Sequence, residues 1–347
     1  MRIFVAGAAG MVGAALVRRL LVEGYTDLLT PRRQDIDLTS QPAVMQYIMQ
    51  ERPDYIFMAA AKVGGVHANN VYRADFIYQN LMVQANLIHA AHAAGIQRLL
   101  FLGSSCIYPR DCAQPMKEEY LLSGPLEQTN EPYAIAKIAG IKMCDSYNRQ
   151  YGRQYISAMP TNLYGPNDKY DLYNSHVLPA LIRKVHLAKL ALNGRVDEIV
   201  RDEAQFGPIP AEVLAHLGLI RLANNTIGSL SDAGNSPILE VWGSGTPQRE
   251  FLHVDDLARA CVHLMRTGYD GPLINIGAGS DVSIKTLARL ACEVIGFAGE
   301  LAFDASKPDG TPRKWLDSTR IGALGWQPEI GLRDGIALAY ADYCARA

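Results

Sequence analysis

Tyr133 and Lys137 stand four residues apart in Glu131-Pro-Tyr-Ala-Ile-Ala-Lys137. On a helix this spacing puts both side chains on one face, where an ammonium stabilises a phenolate and draws the tyrosine pKa down from its ordinary value near 10. Such a phenol exchanges a proton with a substrate oxygen near neutral pH. Ser104, well upstream at the end of an apolar run, supplies another donor to the same oxygen. A Tyr-x-x-x-Lys spacing alone is common on helices. Joined to the serine and to the Gly-rich turn Gly7-Ala-Ala-Gly10-Met-Val-Gly13, it specifies hydride transfer. Two further acid/base groups are Cys106 and, in Asn174-Ser-His-Val177, His176. By composition Cys106 reads as a buried structural thiol and His176 as a satisfied loop or helix-start residue. A plain dehydrogenase needs neither, and their occurrence beside the serine, tyrosine and lysine points to a reductase that also moves protons on carbon.

The elements that position these groups are legible as alternating runs. Arg2 to Ala6 reads as a buried strand, Met11 to Glu23 as a helix, and Asp54 to Met58 as a strand. Asp75 to Ala94 reads as a long helix with an apolar stripe of Ile77, Leu81, Ala85 and Ile88. Arg98 to Gly103 is a further strand, Pro132 to Gln150 a helix, and Gln154 to Met159 a strand. Strict alternation predicts an α/β fold: a Rossmann-type doubly wound parallel sheet with a second, smaller α/β substrate lobe. The dinucleotide domain is expected over 1–160, with later crossings back at about 250–275, and the substrate lobe mainly over 161–347. The two lobes are expected to share one cleft. Beyond residue 160 glycine and proline become frequent and the expected elements are short.

The Gly-rich turn follows a strand and opens a helix, so backbone amides and the helix N-terminus face a pyrophosphate. Its GxxGxxG spacing favours the short-chain dehydrogenase style of turn. At the end of the second strand, Leu28-Leu-Thr-Pro-Arg-Arg33 offers Arg32 and Arg33 where an NAD site would carry a carboxylate. Two guanidinium groups suit a 2′-phosphate, so NADP(H) is the expected cofactor, the alternative being a solvated arginine pair. Asp37 and Leu38 then lie near the adenine, and Ala59 to Gly65, with Ala60 and Lys62, line the pyrophosphate and ribose.

A chain of 347 residues with formal net charge -2 has no basic excess for wrapping nucleic acid. Its six cysteines show no paired spacing and fit a chain kept reduced in the cytosol. No metal site, signal peptide or membrane-spanning run is expected.

The motifs together resemble the extended short-chain dehydrogenases/reductases, and within them the epimerase-reductases of GDP-sugars. The matching stretches include Ala59 to Gly65, Gly103-Ser-Ser-Cys-Ile-Tyr-Pro109, Thr129 to Lys137 and Pro160-Thr-Asn-Leu-Tyr-Gly-Pro166. They continue through Asn174 to Val177, Trp242 to Pro247, Arg249-Glu-Phe-Leu-His253 and Lys307 to Arg313, covering nearly the whole chain in order. The resemblance implies 3,5-epimerisation and 4-reduction of GDP-4-keto-6-deoxy-D-mannose to GDP-L-fucose. It makes Cys106 the base and His176 the acid, with Ser104, Tyr133 and Lys137 serving the reduction. It implies that the cofactor meets Gly7, Gly10, Met11, Val12, Gly13, Leu102, Gly103, Pro160, Asn162, Leu163 and His176. The nucleotide sugar is implied to meet Asn162, Lys184, Trp242, Arg249, Lys307 and Asp309. Trp242 would stack on a base and Arg249 pair with a pyrophosphate, or either would pack the lobe. A cytoplasmic homodimer through the helices around Tyr133, burying Tyr147, is also implied. Another product such as GDP-colitose, an epimerase or dehydratase that recycles its cofactor, or a non-catalytic NADP-sensing module are the alternatives.

The chain departs from that family in two places. Ala8-Ala9 replace a polar and a basic side chain, which weakens the expected preference for NADPH. A stretch at about 192–236 is longer than in such relatives. Its Ala211 to Ala223 reads as an apolar-faced helix, and the stretch is expected to cover the substrate cleft or make a subunit contact.

Overall fold

The structure is a computed structural model that describes residues 1–229, 236–271, 273–307 and 309–347. The last part of the long stretch, 230–235, therefore lies outside the described residues. The chain divides into two compact units. The first comprises Met1–Leu163, Glu250–Ser280 and Trp315–Ile330; the second comprises Tyr164–Arg249, Asp281–Lys314 and Gly331–Ala347.

The first unit is built on β1 (Ile3–Ala6), α1 (Met11–Val22), β2 (Leu28–Leu29), α2 (Gln41–Glu51), β3 (Tyr55–Met58), α3 (Val66–Val71), α4 (Arg73–Ala93), β4 (Arg98–Leu102), α5 (Glu131–Tyr151) and β5 (Gln154–Pro160). A later strand, Ile274–Ile276, completes a six-stranded parallel sheet of order Ile274–Ile276, β5, β4, β3, β1, β2. β1 and β3 are buried along their whole length, as a sheet covered on both faces requires. Alternate residues supply the two cores. Val5, Phe57, Leu100 and Ile156 pack under α1 and the helix Val254–Thr267. Phe4, Ile56, Leu99 and Phe101 pack under α2, α4 and α5. Each such side chain contributes about 1.5–3 kcal/mol through burial. The chain moves from β1 to β2 on one side and to β3 on the other, so the order reverses between β1 and β3, where open α/β sheets form their ligand crevice.

On α4 the inward row is not the apolar stripe expected from the sequence. Phe76, Asn80, Gln84, Leu87 and Ile88 are buried, while Ile77, Leu81 and Ala85 are only half-buried. The polar members face inward because each finds a main-chain partner: Gln84 donates to the Ala136 carbonyl of α5, and Asn80 to the Phe76 carbonyl at 2.7 Å.

In the second unit the elements are not all short, as the glycine and proline content suggests. The helices Val177–Leu192 and Leu332–Arg346 run for 16 and 15 residues. The long stretch after Leu192 folds as a helix, Val196–Phe206, which Asp202 anchors. That carboxylate takes the Arg183 Nε at 2.8 Å, both groups buried, while the Arg183 guanidinium also donates to the Tyr170 and Phe206 carbonyls at 3.0 and 3.1 Å. The expected helix over Ala211 to Ala223 is corrected. It ends at His216 because Gly218 takes a left-handed φ of 72°, and Leu219–Arg221 instead pairs antiparallel with Ile227–Ser229.

Candidate active site

The turn between β1 and α1 is shaped by its glycines. Gly7 has φ 84°, and a Cβ there would lie 2.7 Å from the Ala60 nitrogen after β3. A Cβ on Gly13 would stand 2.1 Å from the Gly7 carbonyl oxygen. Both glycines are demanded by the protein's own packing. Gly10 is different: a Cβ there would meet nothing of the protein closer than 3.5 Å. The protein's own packing therefore does not require glycine at this position. Gly10 is also the N-cap of α1, without a side-chain cap and with no acidic residue in the first turn, so the amides around Met11 and Val12 present an anion site. These residues fit a dinucleotide pyrophosphate.

Arg32 and Arg33 are both exposed beyond β2. Asp37 is held below the usual carboxylate range by the Thr39 hydroxyl and amide, and to a smaller extent by Arg33. Leu38 packs partly against the core beneath α4. Lys62 is fixed through its main chain, its N–H donating to Asn80 Oδ1 at 2.9 Å while its carbonyl accepts from Asn80 Nδ2 at 3.0 Å. Its ammonium meets Asp75 at 2.8 Å.

β4 delivers Leu102, Gly103 and Ser104 to the same end of the sheet. Gly103 has no room for a side chain, since a Cβ would strike Met159. Ser104 caps a short 3-10 turn, Ser105–Ile107, by accepting the Cys106 N–H at 3.5 Å. Cys106 is thereby held as a buried thiol one turn from Ser104. From α5, Lys137 is buried, donates to the Leu102 carbonyl at 2.8 Å and lies 4.8 Å from the Phe101 ring centre and 5.7 Å from that of Tyr133. Burial lowers its pKa to about 8, opposed by the charge of Cys106. Tyr133 packs edge-on to Phe76. Its pKa is raised, not lowered: burial dominates, Cys106 adds to it, and the hydrogen bond with Ser104 acts the other way. The expectation that the neighbouring ammonium makes Tyr133 acidic is thus corrected, because loss of water outweighs the Ser104 hydrogen bond that acts to lower its pKa.

Asn162 donates to the Glu250 carbonyl at 2.8 Å, while Pro160 and Leu163 flank it at the end of β5. Glu250 itself was not legible as a site former. Fully buried, its carboxylate accepts from Ala278 N at 2.7 Å, Gly279 N at 3.0 Å and Leu316 N at 3.0 Å, tying three segments behind Asn162. In the sequence it appears only as a member of the stretch Arg249-Glu-Phe-Leu-His253, with nothing to single it out from its neighbours.

The remaining residues lie on the second unit. His176 is the N-cap of Val177–Leu192; part of the residue is open to solvent, while its ring is largely enclosed by protein. The surrounding protein first, and then Lys314 and Lys169, hold its pKa below the ordinary imidazole value. Trp242 is exposed, with the Lys307 and Lys184 ammonium groups 5.0 and 5.8 Å from its ring. Arg249 donates to the Gln248 carbonyl at 2.7 Å and makes no ion pair among the described residues. Asp309 accepts from Ser244 N at 2.9 Å and from the Ser244 hydroxyl at 2.6 Å. Cations, an aromatic face and an unpaired guanidinium suit a nucleoside diphosphate. Among the described residues no group of His, Cys, Asp or Glu side chains is placed to hold a metal ion, and no helix is long and apolar enough to cross a membrane.

A nucleotide crevice at the sheet's reversal and a Ser-Tyr-Lys set beside it define the class. The chain belongs to the NAD dependent epimerase/dehydratase family, whose profile matches residues 3–202 and 221–277. It is 48% identical to a GDP-L-fucose synthase of Escherichia coli (strain K12), over 98% of this chain and 95% of that protein. It is likewise 48% identical to GDP-L-fucose synthase 1 of Arabidopsis thaliana, over 99% and 93%. Among solved structures, a GDP-D-glycero-L-gluco-heptose synthase from Campylobacter jejuni, in the presence of NADPH, superposes with a TM-score of 0.86 at 38% identity, covering 99% of this chain and 98% of that one.

Proposed function

We propose that this protein converts GDP-4-keto-6-deoxy-D-mannose to GDP-L-fucose with NADPH, inverting C3 and C5 and then reducing the C4 ketone. The observation that carries the reading is the position of Cys106: buried, two residues from Ser104 on the turn that Ser104 caps, in the set with Tyr133 and Lys137. The likeness to GDP-L-fucose synthases along nearly the full length supports the same substrate.

The C4 ketone acidifies the C–H bonds at C3 and C5, because removal of either proton leaves an enolate. Cys106, as thiolate, takes the proton from one face. His176, as imidazolium, returns one to the other face. Tyr133 then gives its phenolic proton to O4 while the Ser104 hydroxyl holds that oxygen. Burial keeps Tyr133 protonated at neutral pH, which is the form a reductase needs, and the Lys137 ammonium stabilises the phenolate left behind. Bound NADPH supplies the hydride for C4. The turn from Gly7 to Gly13 holds its pyrophosphate, Arg32 and Arg33 its 2′-phosphate, and Asp37, Leu38, Ala60 and Lys62 its adenosine side. Lys184, Trp242, Arg249, Lys307 and Asp309 hold the GDP moiety.

The protein acts as a cytoplasmic homodimer joined through α4 and α5. The half-buried Ile77, Leu81 and Ala85 and the exposed Tyr78 and Tyr151 give that face an apolar surface to cover. The test of the activity is stoichiometric: consumption of one NADPH per GDP-sugar fits the reading, whereas epimerisation with no net NADPH consumption contradicts it.

A further inference from the structure

The second unit carries a small pocket lined from two origins. Lys184, Glu240 and Trp242 come from stretches that the family profile matches; Glu212, His216 and Leu217 come from 203–220, which lies between the matched stretches. Trp242 is 54% exposed and offers a flat apolar face. The two carboxylates of the pocket are not equivalent. Glu240 is engaged, with His216 Nε2 3.2 Å from its carboxylate and Lys184 donating to its carbonyl at 3.4 Å. Glu212 makes no hydrogen bond or ion pair among the described residues, although its charge bears on Lys184.

An aromatic face, a free carboxylate and an ammonium match one nucleobase edge. Guanine presents two donors, N1–H and the 2-amino group, beside one acceptor, O6. A carboxylate accepts both donors at once, an ammonium donates to O6, and the base plane stacks on an indole. Adenine would set its N1 lone pair against the carboxylate, and hypoxanthine lacks the 2-amino donor. We infer that Glu212, supplied by the stretch outside the family match, is the guanine-specificity residue of this protein, accepting from guanine N1–H and the 2-amino group while Trp242 stacks the base and Lys184 meets O6. The inference rests on the reading that the substrate is a GDP-sugar.

Calorimetric titration of the NADPH-saturated protein with GDP, IDP and ADP tests it. The native protein should bind GDP about tenfold or more tighter than IDP, the discrimination expected of a bidentate contact, with ADP weaker still. In Glu212→Gln and Glu212→Ala the IDP/GDP ratio of Kd should fall toward one, while NADPH affinity is unchanged and reports an intact fold. A ratio that stays at its native value in both variants overturns the role of Glu212. Failure of the functional reading looks different: the native protein would distinguish GDP from IDP yet leave GDP-4-keto-6-deoxy-D-mannose unchanged.

Discussion

At the residue scale, the chemistry turns on two buried groups pushed in opposite senses. Tyr133 is held as a phenol by burial, and Lys137 is made easier to deprotonate by the same cause, its pKa falling to about 8. Removing the phenolic proton donor in Tyr133→Phe should lower NADPH oxidation by about 10²–10⁴-fold, while solvent deuterium still enters C3 and C5 of the substrate. Loss of both activities in that variant would argue against separate proton-transfer groups. The lysine sets a pH limit. Its ammonium is present below about pH 8 and lost above it, so single-turnover reduction should decline as pH rises through about 8. A reduction rate that is flat from pH 7 to well above that value would show that Lys137's charge is not needed. Ser104, Cys106, Tyr133 and Lys137 were visible in the sequence as residue types at telling spacings. The direction of the Tyr133 shift was not, because sequence spacing gives proximity to a charge but not the amount of water excluded around it.

At the scale of elements, the turn that opens α1 separates packing from ligand binding. Gly13→Ala drives a methyl into the Gly7 carbonyl, and should cost about 1–3 kcal/mol of stability, as overpacking does, together with NADPH binding. Gly10→Ala meets no protein atom closer than 3.5 Å, so thermal unfolding should stay near native while the Kd for NADPH rises at least about tenfold, equivalent to 1.4 kcal/mol. Equal loss of stability in the two variants would contradict the distinction. β1, β3, β4 and β5 and the helices α1, α4 and α5 were legible because each is an uninterrupted apolar run or a long amphipathic one between turn residues. The inward face of α4 was not, since Asn80 and Gln84 occupy core positions by bonding main-chain groups of other elements. The run after Ala211 was misread for a related reason. Its apolar residues suit a helix, but Gly218 and the turn at Asn224-Asn225 let them form a hairpin, and β pairing is a contact that spacing alone does not disclose.

At the scale of the whole molecule, one unit carries the Gly-rich turn with the Ser104, Cys106, Tyr133 and Lys137 set, and the other carries His176 with the residues proposed to hold GDP. The fold class was legible from strict strand-helix alternation, and a return to the first unit at about 250–275 was expected; the further return over Trp315–Ile330 was not, since its one regular element is the five-residue helix Thr319–Ala323. The proposed dimer gives its own prediction: Tyr78→Asp with Leu81→Asp should halve the mass seen by light scattering in solution, and an unchanged mass would place the subunit contact elsewhere. In the proposed chemistry a thiol and an imidazole invert two carbons of a sugar whose ketone is then reduced. The most direct measurement is NMR of the product formed from GDP-4-keto-6-deoxy-D-mannose and NADPH in deuterated water, with the native protein and with Cys106→Ala. The native protein should yield GDP-L-fucose carrying deuterium at C3 and C5, and Cys106→Ala a product with no deuterium at either carbon. A native product reduced at C4 but unlabelled and uninverted at C3 and C5, or full labelling by Cys106→Ala, would contradict that chemistry.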